Sequence, residues 1–166
     1  MAGARLRYLI VDGHSVIHAW SELRAMHEGN PRQARHELER RLSSLQDSGG
    51  ERVVIVFDGR GTSTQSSRER AVDVQVVYSG RGATADAVIE RLVGAYAATH
   101  ELTVVTADEA ERLAVSAAGA WWMSPGALQD RIERSHLEQQ RALKKLRGRG
   151  GGFRLGESLR QEGHKR

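Results

Sequence analysis

The alternation of apolar and polar positions changes period several times along the chain, and each change predicts an element. Residues 7–11 hold the continuous apolar run Leu9-Ile10-Val11 and predict a strand, followed by a helix over residues 15–26. Pro31 opens a longer helix, because proline suits the first helical position and Ala34, Leu38, Leu42 and Leu45 recur at helical spacing until Gly49-Gly50 closes it. The run VVIVF, residues 53–57, is apolar without alternation, the pattern of a strand buried on both faces.

Residues 59–70, GRGTSTQSSRER, are almost free of apolar side chains and predict a mobile loop. A more exposed strand is expected over residues 72–78, where Val72, Val74 and Val76 alternate with Asp73, Gln75 and Val77 before Tyr78. Thr84 then caps a helix whose apolar face includes Ala85, Val88, Ile89, Leu92, Val93 and Tyr96. The strand LTVVT, a helix over residues 109–118, a short run over residues 120–123 and a last helix from Ser124-Pro125 to about Leu146 complete the series. Strands and helices in alternation imply an α/β domain with a mostly parallel sheet covered by helices.

In such sheets functional groups gather at the carboxyl ends of the strands. Three of the predicted strands deliver an aspartate there: Asp12 in VDG, Asp58 in VFDG and Asp108 in VVTAD. Asp86, in the first turn of the helix that Thr84 caps, joins them, with Glu90 one turn later on the same face. Singly, each has an ordinary structural explanation as a turn residue, a helix cap or a dipole partner. Together at one sheet edge they repel one another unless a cation neutralises them. The chain has no cysteine, so oxygen ligands and a hard ion, Mg²⁺ or Mn²⁺, are the expectation, with phosphodiester hydrolysis as the matching reaction.

Composition narrows the rest. A length of 166 residues fits one domain with an appendage, and disulfides are excluded. The apolar stretch near the N-terminus is too brief for a signal sequence or a membrane span, so a cytoplasmic location is expected. The net charge of +4 hides an asymmetry, because residues 141–166 hold nine Lys or Arg against two Glu, which leaves residues 1–140 at −3. The expected organisation is therefore an acidic folded domain over residues 5–140 and a basic, Gly/Arg-rich, largely disordered tail over residues 141–166.

The set VDGHSVI, VFDG, TADAVIE and VVTADEAE, in this order over residues 7–111, resembles the NYN-domain ribonucleases of the YacP type, within the wider PIN-like nuclease group. Ala19-Trp20 and the stretch GAWWMSPGALQDRIE, residues 119–133, add to the likeness. The resemblance implies a three-layer α/β/α PIN-like (Rossmann-like) fold and a metal-dependent endoribonuclease. Carried across by position, Asp12 and Asp86 match the acidic residues most closely tied to catalysis, with Asp58 and Asp108 as further members. Asp12, Asp86 and Asp108 are the expected metal ligands. Some bacterial members cut messenger RNA bound at the ribosome, so RNA, and the ribosome as its setting, are the implied partners. One position departs from the family pattern: Ser15 in VDGHS stands where members usually have Asn, as in VDGYN. A serine hydroxyl can still donate to a carboxylate or phosphate, with shorter reach.

An acidic site that takes RNA needs positive surroundings. Arg60, Arg68, Arg70 and Arg81, in the two Gly- and Ser-rich loops, are with Ser15 the expected substrate contacts, and Lys144, Lys145, Arg147 and Arg149 offer a second, sequence-independent contact. His14 is a further phosphate-contact or proton-donor candidate, although a loop histidine usually has no such role. Trp121-Trp122 reads as one core and one surface residue in preference to a base-stacking pair. The alternative is a catalytically weakened domain that binds RNA or ribosomes without turnover. A receiver-type phosphotransfer domain lacks its expected acidic pair after the first strand, and no GxGxxG or GxxxxGK[ST] follows a strand.

Overall fold

A computed structural model of the chain describes residues 5–59 and 73–150. Among these, five strands form one all-parallel sheet in the order β3-β2-β1-β4-β5: β1 (Arg7–Asp12), β2 (Arg52–Phe57), β3 (Gln75–Tyr78), β4 (Glu101–Val105) and β5 (Trp121–Met123). The expected α/β class holds. Pairing sets Asp12 beside Val56 and Val11 beside Val105, so the strand ends lie level along one edge. The strand order reverses about β1, which places that edge where ligands of open parallel sheets bind.

Side chains alternate across the sheet and build a core on each face. Leu9 and Val11 of β1 and Val53, Ile55 and Phe57 of β2 point to one face. There they meet α1 (Gly13–Ala19), α2 (Ser21–Gly29), α3 (Pro31–Gly49) and Leu128 at the start of α6 (Pro125–Gly150). Ile10, Val54, Val56 and Val104 point to the other, against Ile89 and Val93 of α4 (Ala85–Tyr96) and Val115 of α5 (Glu109–Ala117). This is the three-layer α/β/α arrangement, with the central strands buried on both sides.

The caps explain the helix limits. Asn30 accepts from the Gln33 N–H at 3.2 Å ahead of Pro31, and Gly50 ends α3 in the left-handed region at φ 67°. Thr84 accepts from the Ala87 N–H at 3.2 Å and starts α4. The expected single helix over residues 15–26 is instead two. Trp20 breaks it with an extended backbone (φ −88°, ψ 115°), which turns its indole into the core and lets Nε1–H donate to the Pro125 carbonyl at 2.8 Å. A buried Trp N–H needs such a partner, and a continuing helix would carry it away.

Three further expectations are adjusted. The strand expected over residues 72–78 begins at Gln75, and Val72 lies outside the described residues, as do residues 60–71. Neither member of Trp121-Trp122 is a core residue: they are 69% and 37% exposed, because β5 is a three-residue edge strand. The last helix continues past Leu146 to Gly150, so residues 141–150 of the expected tail are helical, with exposed side chains at positions 141–149. Residues 151–166 lie outside the described residues. By compactness the chain divides into a unit ending at Ile132 and a second over Glu133–Arg166, whose described part is the remainder of α6, with Leu137, Leu143 and Leu146 exposed. No helix among the described residues is long and apolar enough to cross a membrane.

Candidate metal centre

Three carboxylates meet at the carboxyl edge of the sheet: Asp12 at the end of β1, Asp86 in the first turn of α4 and Glu111 in the first turn of α5. One oxygen of each lies within 4.8 Å of the others. Asp12 and Glu111 are buried, and Asp86 is half-buried. Asp12 also caps α1, accepting the Ser15 N–H at 3.3 Å, which holds its carboxylate at the turn. The turn is tight. A Cβ on Gly13 would lie 2.2 Å from Cε1 of Phe57, so only glycine lets the chain leave β1 this close to β2.

Asp108, expected as a ligand, is not one of the three. It is exposed and serves as the N-cap of α5, its Oδ1 accepting from the Glu111 N–H at 2.9 Å. Glu111 occupies the position from which a capping-box glutamate usually turns back to the N–H of the cap residue. Here that N–H donates to Thr106 Oγ1 at 3.1 Å, and Glu111 turns inward. The Thr106 hydroxyl donates to Glu111 Oε2 at 2.6 Å. Because its single proton is spent there, Thr106 is the acceptor in its 3.5 Å contact with Ser15 Oγ, while Ser15 Oγ accepts the Ala107 N–H at 2.6 Å. Ser15 thus ties the turn after β1 to the turn after β4.

Asp58 stands beside the triplet. It is exposed, and its Oδ1 accepts the Ala85 N–H at 2.6 Å, fixing the start of α4 and with it the neighbouring Asp86. Its backbone N–H donates to His14 Nδ1 at 3.4 Å, which leaves the ring proton of a neutral His14 on Nε2. Burial holds the His14 pKa below its ordinary value against the pull of Asp58. Glu90 and Arg81 are exposed, and Arg60, Arg68 and Arg70 lie outside the described residues.

The electrostatics of the triplet suit a cation. Burial, reinforced by the charges of Asp86 and Asp58, raises the Asp12 pKa. Burial and the adjacent Asp12 and Asp86 push Glu111 up to about 8, in spite of the Thr106 hydrogen bond. Glu111 Oε1 is buried and no donor among the described residues reaches it, and the Asp12 and Glu111 carboxyl groups hydrogen-bond to each other only when one of them holds a proton. A buried acceptor without a donor costs free energy unless something else satisfies it, and an all-carboxylate set suits a hard divalent ion.

The model of the YacP-like NYN domain matches residues 9–165. The chain belongs to the YacP-like NYN domain family. Its sequence is similar to the uncharacterized protein YacP of Bacillus subtilis (strain 168), 29% identical over 140 residues that span 83% of this chain and 82% of that one. Its fold is similar to the crystal structure of Rae1 (YacP) from Bacillus subtilis, with a TM-score of 0.72 and 28% identity over 87% of this chain and 83% of the other. A second crystal structure of Rae1, that of a tryptophan-to-leucine mutant, matches with a TM-score of 0.71 and 28% identity, over 84% and 82% of the two chains. As an NYN domain, this one falls within the PIN-like nuclease group, with Asp12, Asp86 and Glu111 as its candidate ion-holding cluster.

Proposed function

We propose that this NYN domain is an endoribonuclease dependent on Mg²⁺ or Mn²⁺ that hydrolyses RNA phosphodiester bonds, with messenger RNA at the ribosome as the setting to which the family points. The observation that carries the reading is the approach of Asp12, Asp86 and Glu111 to within 4.8 Å, with a buried oxygen on Glu111 that no donor among the described residues reaches. These three residues would hold the ion. A hard divalent cation there supplies Lewis-acid activation of water and of the phosphoryl oxygens.

The remaining residues have positioning work. Thr106 fixes Glu111 through its hydroxyl, Asp108 fixes the start of α5, and Asp58 fixes that of α4. The Ser15 oxygen accepts within the protein, which gives the residue a structural share at the family's Asn position. Arg81, exposed in the turn after β3, and the arginines of residues 60–70 belong to the substrate path in this reading.

Cleavage of a labelled single-stranded RNA tests the proposal. Purified protein should cut it with Mg²⁺ or Mn²⁺ and stop on addition of EDTA. Asp86→Asn should lower the rate at least about a hundredfold with an unchanged circular dichroism spectrum. Undiminished cutting by that variant removes the mechanism. RNA binding without turnover under any divalent ion establishes the binding-module alternative instead.

A further inference from the structure

Next to the acidic centre lies a group of basic and imidazole side chains that the proposed reaction has not used. His14 and His18, one turn apart on α1, stack with ring centroids 6.3 Å apart. His27, in the last turn of α2, meets both edge-on at 6.4 and 5.3 Å. Phe57, at the end of β2, supports the group from beneath: the His14 ring stands perpendicular to it at 6.0 Å, and the Arg35 guanidinium carbon lies over it at 5.5 Å.

Arg35 differs from its neighbours on α3. Arg40 and Arg41 are committed to carboxylates, Arg40 to Glu37 and Arg41 to both Glu37 and Glu22, at 2.7 to 2.8 Å. Arg35 has no carboxylate partner among the described residues, and its Nε is buried without a hydrogen-bond partner. A half-buried guanidinium gives up part of its hydration, and a multidentate anion such as a phosphate restores it best. His14 adds a donor, because its Nδ1 is taken by the Asp58 N–H and its Nε2 is left to donate. Asp58 marks the boundary, with one oxygen on the α4 terminus beside Asp86 and the other 3.9 Å from His14 Nδ1.

We infer that Arg35, with His14, His18 and His27, forms a phosphate-binding subsite that holds the RNA backbone beside the bond to be cut. The inference rests on the reading of the acidic centre as an RNA-cutting site and assigns the path of the strand next to it. Donors on one flank and carboxylates on the other orient a polyanion across Asp58: its phosphates are attracted to the α1–α3 side and repelled from the triplet except where a cation sits.

Fluorescence anisotropy with a short labelled single-stranded RNA in EDTA, paired with steady-state cleavage in Mn²⁺, tests the subsite. Arg35→Met keeps the packing on Phe57 and removes the charge. It should weaken RNA binding roughly ten- to hundredfold and reduce the slope of log affinity against log salt by about 1. In cleavage it should raise KM while kcat stays within about twofold. The double variant His18→Gln/His27→Gln, at an exposed and a half-exposed position, guards against a folding defect and should also raise KM. If wild-type protein cuts RNA and both variants keep its KM and affinity, the subsite is wrong and the nuclease reading stands. If Arg35→Met loses RNA binding but no divalent ion supports cleavage by the wild type, the nuclease reading fails and the phosphate site survives.

Discussion

Among the described residues, Glu111 carries the strongest conflict between a residue and its surroundings. Its ordinary pKa of 4.5 is pushed up to about 8 by burial and by Asp12 and Asp86, so folding without a cation draws a proton onto it. Below about pH 4.5 the folded and unfolded chains both hold that proton. As pH rises from there towards 8 the unfolded chain releases it and the folded chain does not, and stability falls across that window. Glu111→Gln is neutral throughout. In differential scanning calorimetry without divalent ions it should melt about 3–6 °C above wild type at pH 8 and gain little at pH 4. Added Mn²⁺ should raise the wild-type midpoint and leave that of the variant nearly unchanged. An equal gain at both pH values contradicts the assignment. Glu111 was hard to read from sequence for a physical reason. Asp108-x-x-Glu111 has the spacing of a helix cap, and only the Thr106 hydroxyl, which takes the cap N–H and then binds the glutamate, sends the side chain inward. Asp12 and Asp86 were legible because one ends an apolar strand and the other opens a helix capped by Thr84.

At the scale of elements, the joints between turns set the site. Ser15→Ala removes the acceptor of the Ala107 N–H and a donor to Thr106, so the turns after β1 and β4 lose their tie. Urea denaturation should report a loss of about 0.5–1 kcal/mol, modest because Ala107 is exposed and water replaces the serine. Trp20→Phe deletes the hydrogen bond to the Pro125 carbonyl and should cost about 1–2 kcal/mol by the same measurement. A neutral result there detaches the helix break from the indole. The existence of the strands, the limits of α3 and the start of α4 followed from hydrophobic period and terminal residues. The break at Trp20 did not, because residues 15–26 keep helical spacing on both sides of it and its cause is a partner 105 positions away. The exposure of Trp121 and Trp122 likewise depends on β5 being an edge, which is a property of sheet order. On that edge Trp122 is held by its indole N–H on the Thr106 carbonyl at 3.0 Å and by Arg112 stacked 4.3 Å over its ring.

Over the whole chain, charge is divided between a body that is net negative and a C-terminal stretch at +7. The part of that stretch in α6 is helical to Gly150 and presents Lys144, Lys145 and Arg147 to solvent. Counterion release makes such charges a sequence-independent source of RNA affinity. Changing these three to Gln should lower the salt slope of single-stranded RNA binding by about 2, with similar effects on unrelated sequences. Loss confined to one RNA sequence contradicts a purely electrostatic role. The asymmetry was readable from composition alone, whereas the extension of the helix through residues 147–150 was not, since Gly148 and Gly150 argue against it locally.

The proposed chemistry requires that Asp12, Asp86 and Glu111, supplied by three separate elements, form one cation site. Anomalous diffraction at the manganese edge, from crystals soaked in Mn²⁺, tests it most directly. A peak coordinated by all three carboxylates is expected, lost in Glu111→Gln crystals soaked at the same concentration. Manganese bound at Asp58 or Asp108 with the triplet empty, or no peak at millimolar Mn²⁺, contradicts it.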